Sequence, residues 1–151
     1  MTERSEQQWG WAHRIYKLDQ HTFTKREPQP HEYHAHPSTG EPVLLPNDSR
    51  SRLENEFLVL RYLRQHTDIP VPEAISYTVE DGAASLTTSR VVGAVEICEC
   101  AEADRAQIVE HVDRELREKI LPVLQSLKSR RMGGRTQDDQ LVVPPFIGTA
   151  Y

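Results

Sequence analysis

Leu53, Phe57, Leu60 and Leu63 recur at helical spacing, and that apolar stripe predicts a helix running to about His66. Asp48 or Ser49 is its expected cap, because a short oxygen-bearing side chain can accept a bond from the unpaired N–H groups of a first turn. Before the helix, Ile15-Tyr16-Lys17-Leu18, a turn at Asp19-Gln20 and His21-Thr22-Phe23-Thr24-Lys25-Arg26 predict a hairpin, being rich in β-branched and aromatic residues. After it, Ile69-Pro70-Val71-Pro72 is extended, since each proline biases its predecessor away from helix. A second hairpin follows over 74–79 and 84–92, turning at Asp81-Gly82. From Ala103 to Arg131, Ile108, Val109, Val112, Leu116, Ile120, Val123, Leu124 and Leu127 again keep a helical period. Pro122 inside that pattern predicts a kink or a split, and Met132-Gly133-Gly134 ends it.

These elements predict a single α+β domain over residues 1–151: an antiparallel sheet of four or five strands, the Glu56 helix on one face and the 103–131 helices closing the other. Residues 1–12 read as an N-terminal arm that carries Trp9 and Trp11, and 132–151 as an irregular tail. The stretch 28–46 holds five prolines and no periodicity, which predicts a long loop.

Composition narrows the function classes. A formal charge of −5 argues against nucleic acid as a partner, because neutralising phosphates needs a concentrated basic face and only Lys128-Ser129-Arg130-Arg131 is basic. The polar start Met1-Thr2-Glu3-Arg4 and the lack of any apolar run of roughly 20 residues predict no membrane span. Cytoplasmic residence is the resulting expectation. Cys98 and Cys100 are too few and too close for a disulfide framework and read as reduced thiols. The tract His31-Glu32-Tyr33-His34-Ala35-His36 has metal-ligand residue types, but a proline-rich loop lacks the fixed scaffold that zinc requires, so no metal is expected.

Four stretches taken in order resemble the small lobe and hinge of the aminoglycoside phosphotransferase and protein-kinase-like family, especially its fungal branch. They are Ile15–Leu18 with Thr24-Lys25-Arg26; the Glu56 helix ending in His66-Thr67-Asp68-Ile69-Pro70-Val71-Pro72; Ser89-Arg90-Val91-Val92-Gly93; and Leu124–Leu127 with Gly133-Gly134 and Val143-Pro144-Pro145. The resemblance implies that Lys25 is the phosphate-binding ammonium and Glu56 the carboxylate that positions it. It also implies a catalytic-loop aspartate near an asparagine and a magnesium aspartate downstream, yet the His111-Val112-Asp113 triplet falls inside the helical pattern with no asparagine after it, and Asp138-Asp139 stands in a short polar turn. Asp19-Gln20-His21 contains no glycine to cradle phosphates. Phosphotransfer is therefore not expected, and a retained structural ion pair is an equal reading of Lys25 and Glu56.

What remains is a cleft without cofactor chemistry. The expectation is a small-molecule biosynthetic enzyme, of cyclase or Diels–Alderase type, acting on an apolar substrate by holding a reactive conformer and polarising a carbonyl. Lys25 and Arg90 are the candidate donors, Glu56 the orienting group, and Tyr33 or His34 the contribution of the 28–46 loop. The alternative is a non-catalytic binding or scaffold protein. Three ways of covering the lobe's apolar side stay open: the late helices, a small molecule, or a second copy forming a homodimer.

Overall fold

The computed structural model describes residues 7–11, 13–95, 97–127, 134–135 and 141–142. Its centre is a five-stranded antiparallel sheet of order β1-β2-β3-β5-β4, formed by β1 (Gln7–Trp11), β2 (Arg14–Leu18), β3 (Thr22–Arg26), β4 (Ala74–Glu80) and β5 (Ala83–Ser89). The helix α1 (Ser49–His66) connects the third strand to the fourth. The α+β class follows directly.

Strand β1 occupies the segment expected to be an arm. Gln7-Gln8-Trp9-Gly10-Trp11 is short and contains a glycine, so it carries little strand signal alone; pairing Trp9 with Tyr16 on β2 is what makes it a strand. The first two strands therefore join at residues 12–13, ahead of the Asp19-Gln20 turn. The hairpin β4–β5 turns at Asp81 (φ 48°) and Gly82 (φ 80°), the paired positive φ values that match the twist of two strands.

Alternation along the strands separates two faces. One presents Lys17, Thr24, Ser76, Thr78, Ser85 and Thr87, with the Thr24 and Thr87 hydroxyls hydrogen-bonded at 3.1 Å. The other presents Leu86 and Ala84, which form the core with Leu53 and Phe57 of α1; Tyr77, Leu58 and Ala74 pack around them. Leu86 is fully buried and Leu53 is 2% exposed. The buried part of the stripe is its N-terminal half, because Leu60 and Leu63 lie where the helix runs past the strands and are only half-buried.

The start of α1 is held differently from the expected cap. Asp48 makes no side-chain bond to the first turn; its carboxylate pairs with Arg52 at 2.6 Å. Arg14 of β2 reaches across to donate to the Ser49 hydroxyl and to the Ser49 carbonyl. Burial lowers the Arg14 pKa, a cost offset by those bonds and by the nearby Glu27 carboxylate.

The late helical segment departs furthest from expectation. It comprises α2 (Glu102–Glu115), a π-helical turn (Leu116–Ile120) and α3 (Leu121–Ser126), ending at an extended Leu127 before the expected Arg131. Pro122 has no N–H for the carbonyl four residues earlier, and the widened turn in front of it absorbs that loss. None of its residues is buried, so it does not close the polar face of the sheet. The expected glycine stop at Met132-Gly133 lies outside the described residues. Within the predicted irregular tail, β6 (Gly134–Arg135) and β7 (Leu141–Val142) pair as a short ladder lying beside α1.

Candidate functional site

The site is built on the sheet face that α1 only partly covers. In β3 the side chains of Phe23 and Lys25 both leave on that face, and α1, anchored at its first turn by Arg14, brings Glu56 above Lys25. The Lys25 Nζ donates to Glu56 Oε1 at 2.5 Å, with side-chain exposures of 28% and 37%. An ammonium has three N–H donors, so one bound to Glu56 leaves two directed elsewhere. The same Nζ stands 5.9 Å from the Phe23 ring centroid, within cation–π range.

Beyond Lys25 the face is aromatic. Trp9 and Tyr16 stack at 5.7 Å between ring centroids, Tyr16 and Phe23 at 5.9 Å, and Trp9 and Phe23 meet tilted at 6.1 Å, forming a triangular cluster across β1, β2 and β3. Trp9 is 43% exposed, so the cluster is open to solvent at its β1 side. Such a cluster offers a flat apolar body surface and few hydrogen bonds.

At the other side of Phe23 is a cavity of about 290 Å³ lined by Leu18, Phe23, Thr88, Arg90, Val91 and Glu99. Arg90 reaches it from the end of β5. Its backbone N–H donates to the His21 carbonyl and its guanidinium to the Asp19 carbonyl, both at 2.8 Å. Asp19 fixes the turn in return by accepting from the Thr22 hydroxyl and the His21 and Thr22 N–H groups. Those bonds, the Thr22 hydroxyl first, hold its carboxyl at about 2.

Lys25 thus pairs with Glu56 beside the Phe23 ring, and Arg90 lines the cavity that Phe23 also lines. Tyr33 and His34 are placed apart. Their loop is fastened by Glu32, which takes two bonds of 2.6 Å from Arg26, and Arg26 leaves β3 on the face opposite to Lys25. The loop itself is ordered as a 3₁₀ turn (Pro30–Glu32) and a small bridge between Ala35 and Pro42. Among the described residues, no hydrogen bond or ion pair links the Tyr33 or His34 side chains to Lys25, Glu56 or Arg90.

Sequence reasoning passed over Glu27. It is 3% exposed, its carboxylate accepts the Ala84 N–H at 2.9 Å, and its own N–H donates to the Ala84 carbonyl at 2.8 Å. A glutamate between Arg26 and Pro28 carries no local mark of burial; only the approach of β5 and α1 creates it. Among the described residues, no group of three His, Cys, Asp or Glu is placed to hold a metal ion, and no helix is long and apolar enough to cross a membrane.

No protein-family model matches the chain, and no curated protein or solved structure matches it.

Proposed function

We propose that the Lys25 face of the sheet is a small-molecule binding site, which receives a flat and largely apolar ligand through a carbonyl or anionic group. The observation that carries this reading is one juxtaposition: a lysine held by a carboxylate at 2.5 Å, beside a cluster of three aromatic rings of which Trp9 is exposed and Tyr16 and Phe23 are half-buried. Lys25 supplies a charge-assisted bond and Glu56 keeps its long side chain in place. Trp9, Tyr16 and Phe23 supply the stacking wall. A phosphate chain would meet one cation and no row of backbone donors there, whereas an aromatic ligand would meet matching surface.

The arrangement of a lysine-bearing hairpin, a carboxylate-bearing helix and a second hairpin leading into Arg90 agrees with what the resemblance to kinase-like small lobes implies. It supports reading this cleft as the ancestral nucleotide face put to another use. A second reading, a cofactor-free enzyme of cyclase type, is supported by two cationic donors near Phe23, Lys25 over its ring and Arg90 in the cavity it lines, either of which can polarise a substrate carbonyl.

The test is a fluorescence titration with 1-anilinonaphthalene-8-sulfonate, whose flat body and single anionic group mimic the proposed ligand, run beside calorimetry with MgATP. Binding should weaken roughly tenfold in Lys25→Met, the loss of one charge-assisted bond. It should also weaken in Tyr16→Ala, with MgATP giving no heat. Unchanged dye affinity in both variants, or saturable MgATP binding abolished by Lys25→Met, would sink the proposal.

A further inference from the structure

The two halves of the sheet are joined to α1 by different means. Against β4 and β5 the helix packs apolar side chains, Leu53 and Phe57 on Ala84, Leu86 and Tyr77. Toward β2 and β3, the strands that carry Tyr16 and Phe23, the link is polar: Arg14 reaches Ser49 and Lys25 reaches Glu56. Apolar contact is non-directional, so it holds the helix near the sheet without fixing its tilt, whereas a guanidinium fork is directional.

The two polar links are aligned. Arg14 and Tyr16 leave β2 on the same side, and Tyr16 is the register partner of Lys25 on β3. On α1, Ser49 and Glu56 are nearly two turns apart, so they share a face at a spacing of about 10 Å along the axis. One Arg14 nitrogen donates to the Ser49 hydroxyl and to the His13 carbonyl, the latter at 2.8 Å, and the other donates to the Ser49 carbonyl at 2.9 Å. Ser49 is 3% exposed, so water competes less for this grip than for the partly exposed Lys25–Glu56 pair.

We infer that Arg14 is a positioning residue for the Lys25 site: through Ser49 it fixes the tilt of α1 over the β2–β3 hairpin, and so the point at which Glu56 holds the Lys25 ammonium beside the Tyr16 and Phe23 rings. Arg14 itself touches no ligand. Its part in binding rests on the Lys25 face being the ligand site; its hold on Lys25 exists with or without a ligand.

Two readouts test this in Arg14→Met, which keeps the length of the side chain and removes its donors, and in Ser49→Ala, which removes one acceptor and suits a helix. The first is the proton–nitrogen NMR signal of the lysine ammonium groups in cold, mildly acidic buffer; the chain has four lysines, and Lys25→Met identifies the signal of Lys25. That signal should lose its hydrogen-bonded shift and its protection from exchange in Arg14→Met, and move part of the way in Ser49→Ala. The second is the dissociation constant of 1-anilinonaphthalene-8-sulfonate. It should rise roughly fivefold in Arg14→Met, the worth of about one net hydrogen bond, and rise no further when the same change is made in Glu56→Ala protein, because the effect passes through Glu56. An Arg14 that only stabilised the fold would lower the urea midpoint and leave both readouts of the folded protein unchanged. A Lys25 signal indifferent to both substitutions, or the same loss of dye affinity with and without Glu56, would overturn the inference; if Arg14→Met does not fold, the Ser49→Ala spectrum decides. Dye binding indifferent to Lys25→Met is a separate failure, which removes the ligand site and leaves the hold of Arg14 on Lys25 to the ammonium signal.

Discussion

Replacing Lys25 and Glu56 by alanine, singly and together, separates a ligand-positioning pair from a structural one. At an effective dielectric of about 20, two unit charges roughly 4 Å apart attract by about 4 kcal/mol. Both side chains are around one-third exposed, so water screens the pair, and desolvation with side-chain ordering offsets most of what remains. The coupling energy from the double-mutant cycle should therefore be about 1 kcal/mol, with single-variant losses of about 1–2 kcal/mol. Urea unfolding followed by circular dichroism measures the stabilities, and the dye titration on the same proteins measures ligand affinity. Glu56→Ala should keep the fold and weaken dye binding, because Lys25 then loses its orienting partner. A coupling above about 3 kcal/mol, or unfolding of either single variant, would refute the reasoning and assign the pair to structure alone.

Two further outcomes follow from the same geometry. Leu86→Ala should cost about 2–5 kcal/mol in urea unfolding, since Leu86 is fully buried against Leu53 and Phe57. A loss below about 1 kcal/mol would mean that α1 does not pack there as described. Asp19 and Glu32 both titrate at about 2, below the ordinary 3.8 and 4.5, the first through the Thr22 hydroxyl and the second through Arg26. A depressed folded-state pKa stabilises above the unfolded value and is lost as pH falls through the folded one, so the β2–β3 turn and the 28–46 loop should loosen between about pH 4 and pH 2. Amide hydrogen exchange should rise there before it rises in α1, and Glu32→Gln should remove the loop's part of that response.

Local sequence settled the elements whose signal is periodic or steric. The Leu53–Phe57 spacing marks α1, and Asp81-Gly82 marks the β4–β5 turn, because φ > 0 at two adjacent residues is a demand that few residue types meet. Pro122 announced a break, since a missing N–H is felt in any helix. The Lys25–Glu56 pairing came into view only through a resemblance, as no spacing rule joins residues 31 apart. Tertiary contact decided the rest. Trp9 lies in a strand because Tyr16 is beside it; Glu27 is buried because Ala84 and α1 close over it; Tyr33 and His34 sit away from Lys25 because Arg26 holds their loop on the opposite face. An amphipathic stripe on α2 likewise states that an apolar face exists, but burial is a property of two surfaces, and a single chain's pattern writes only one of them.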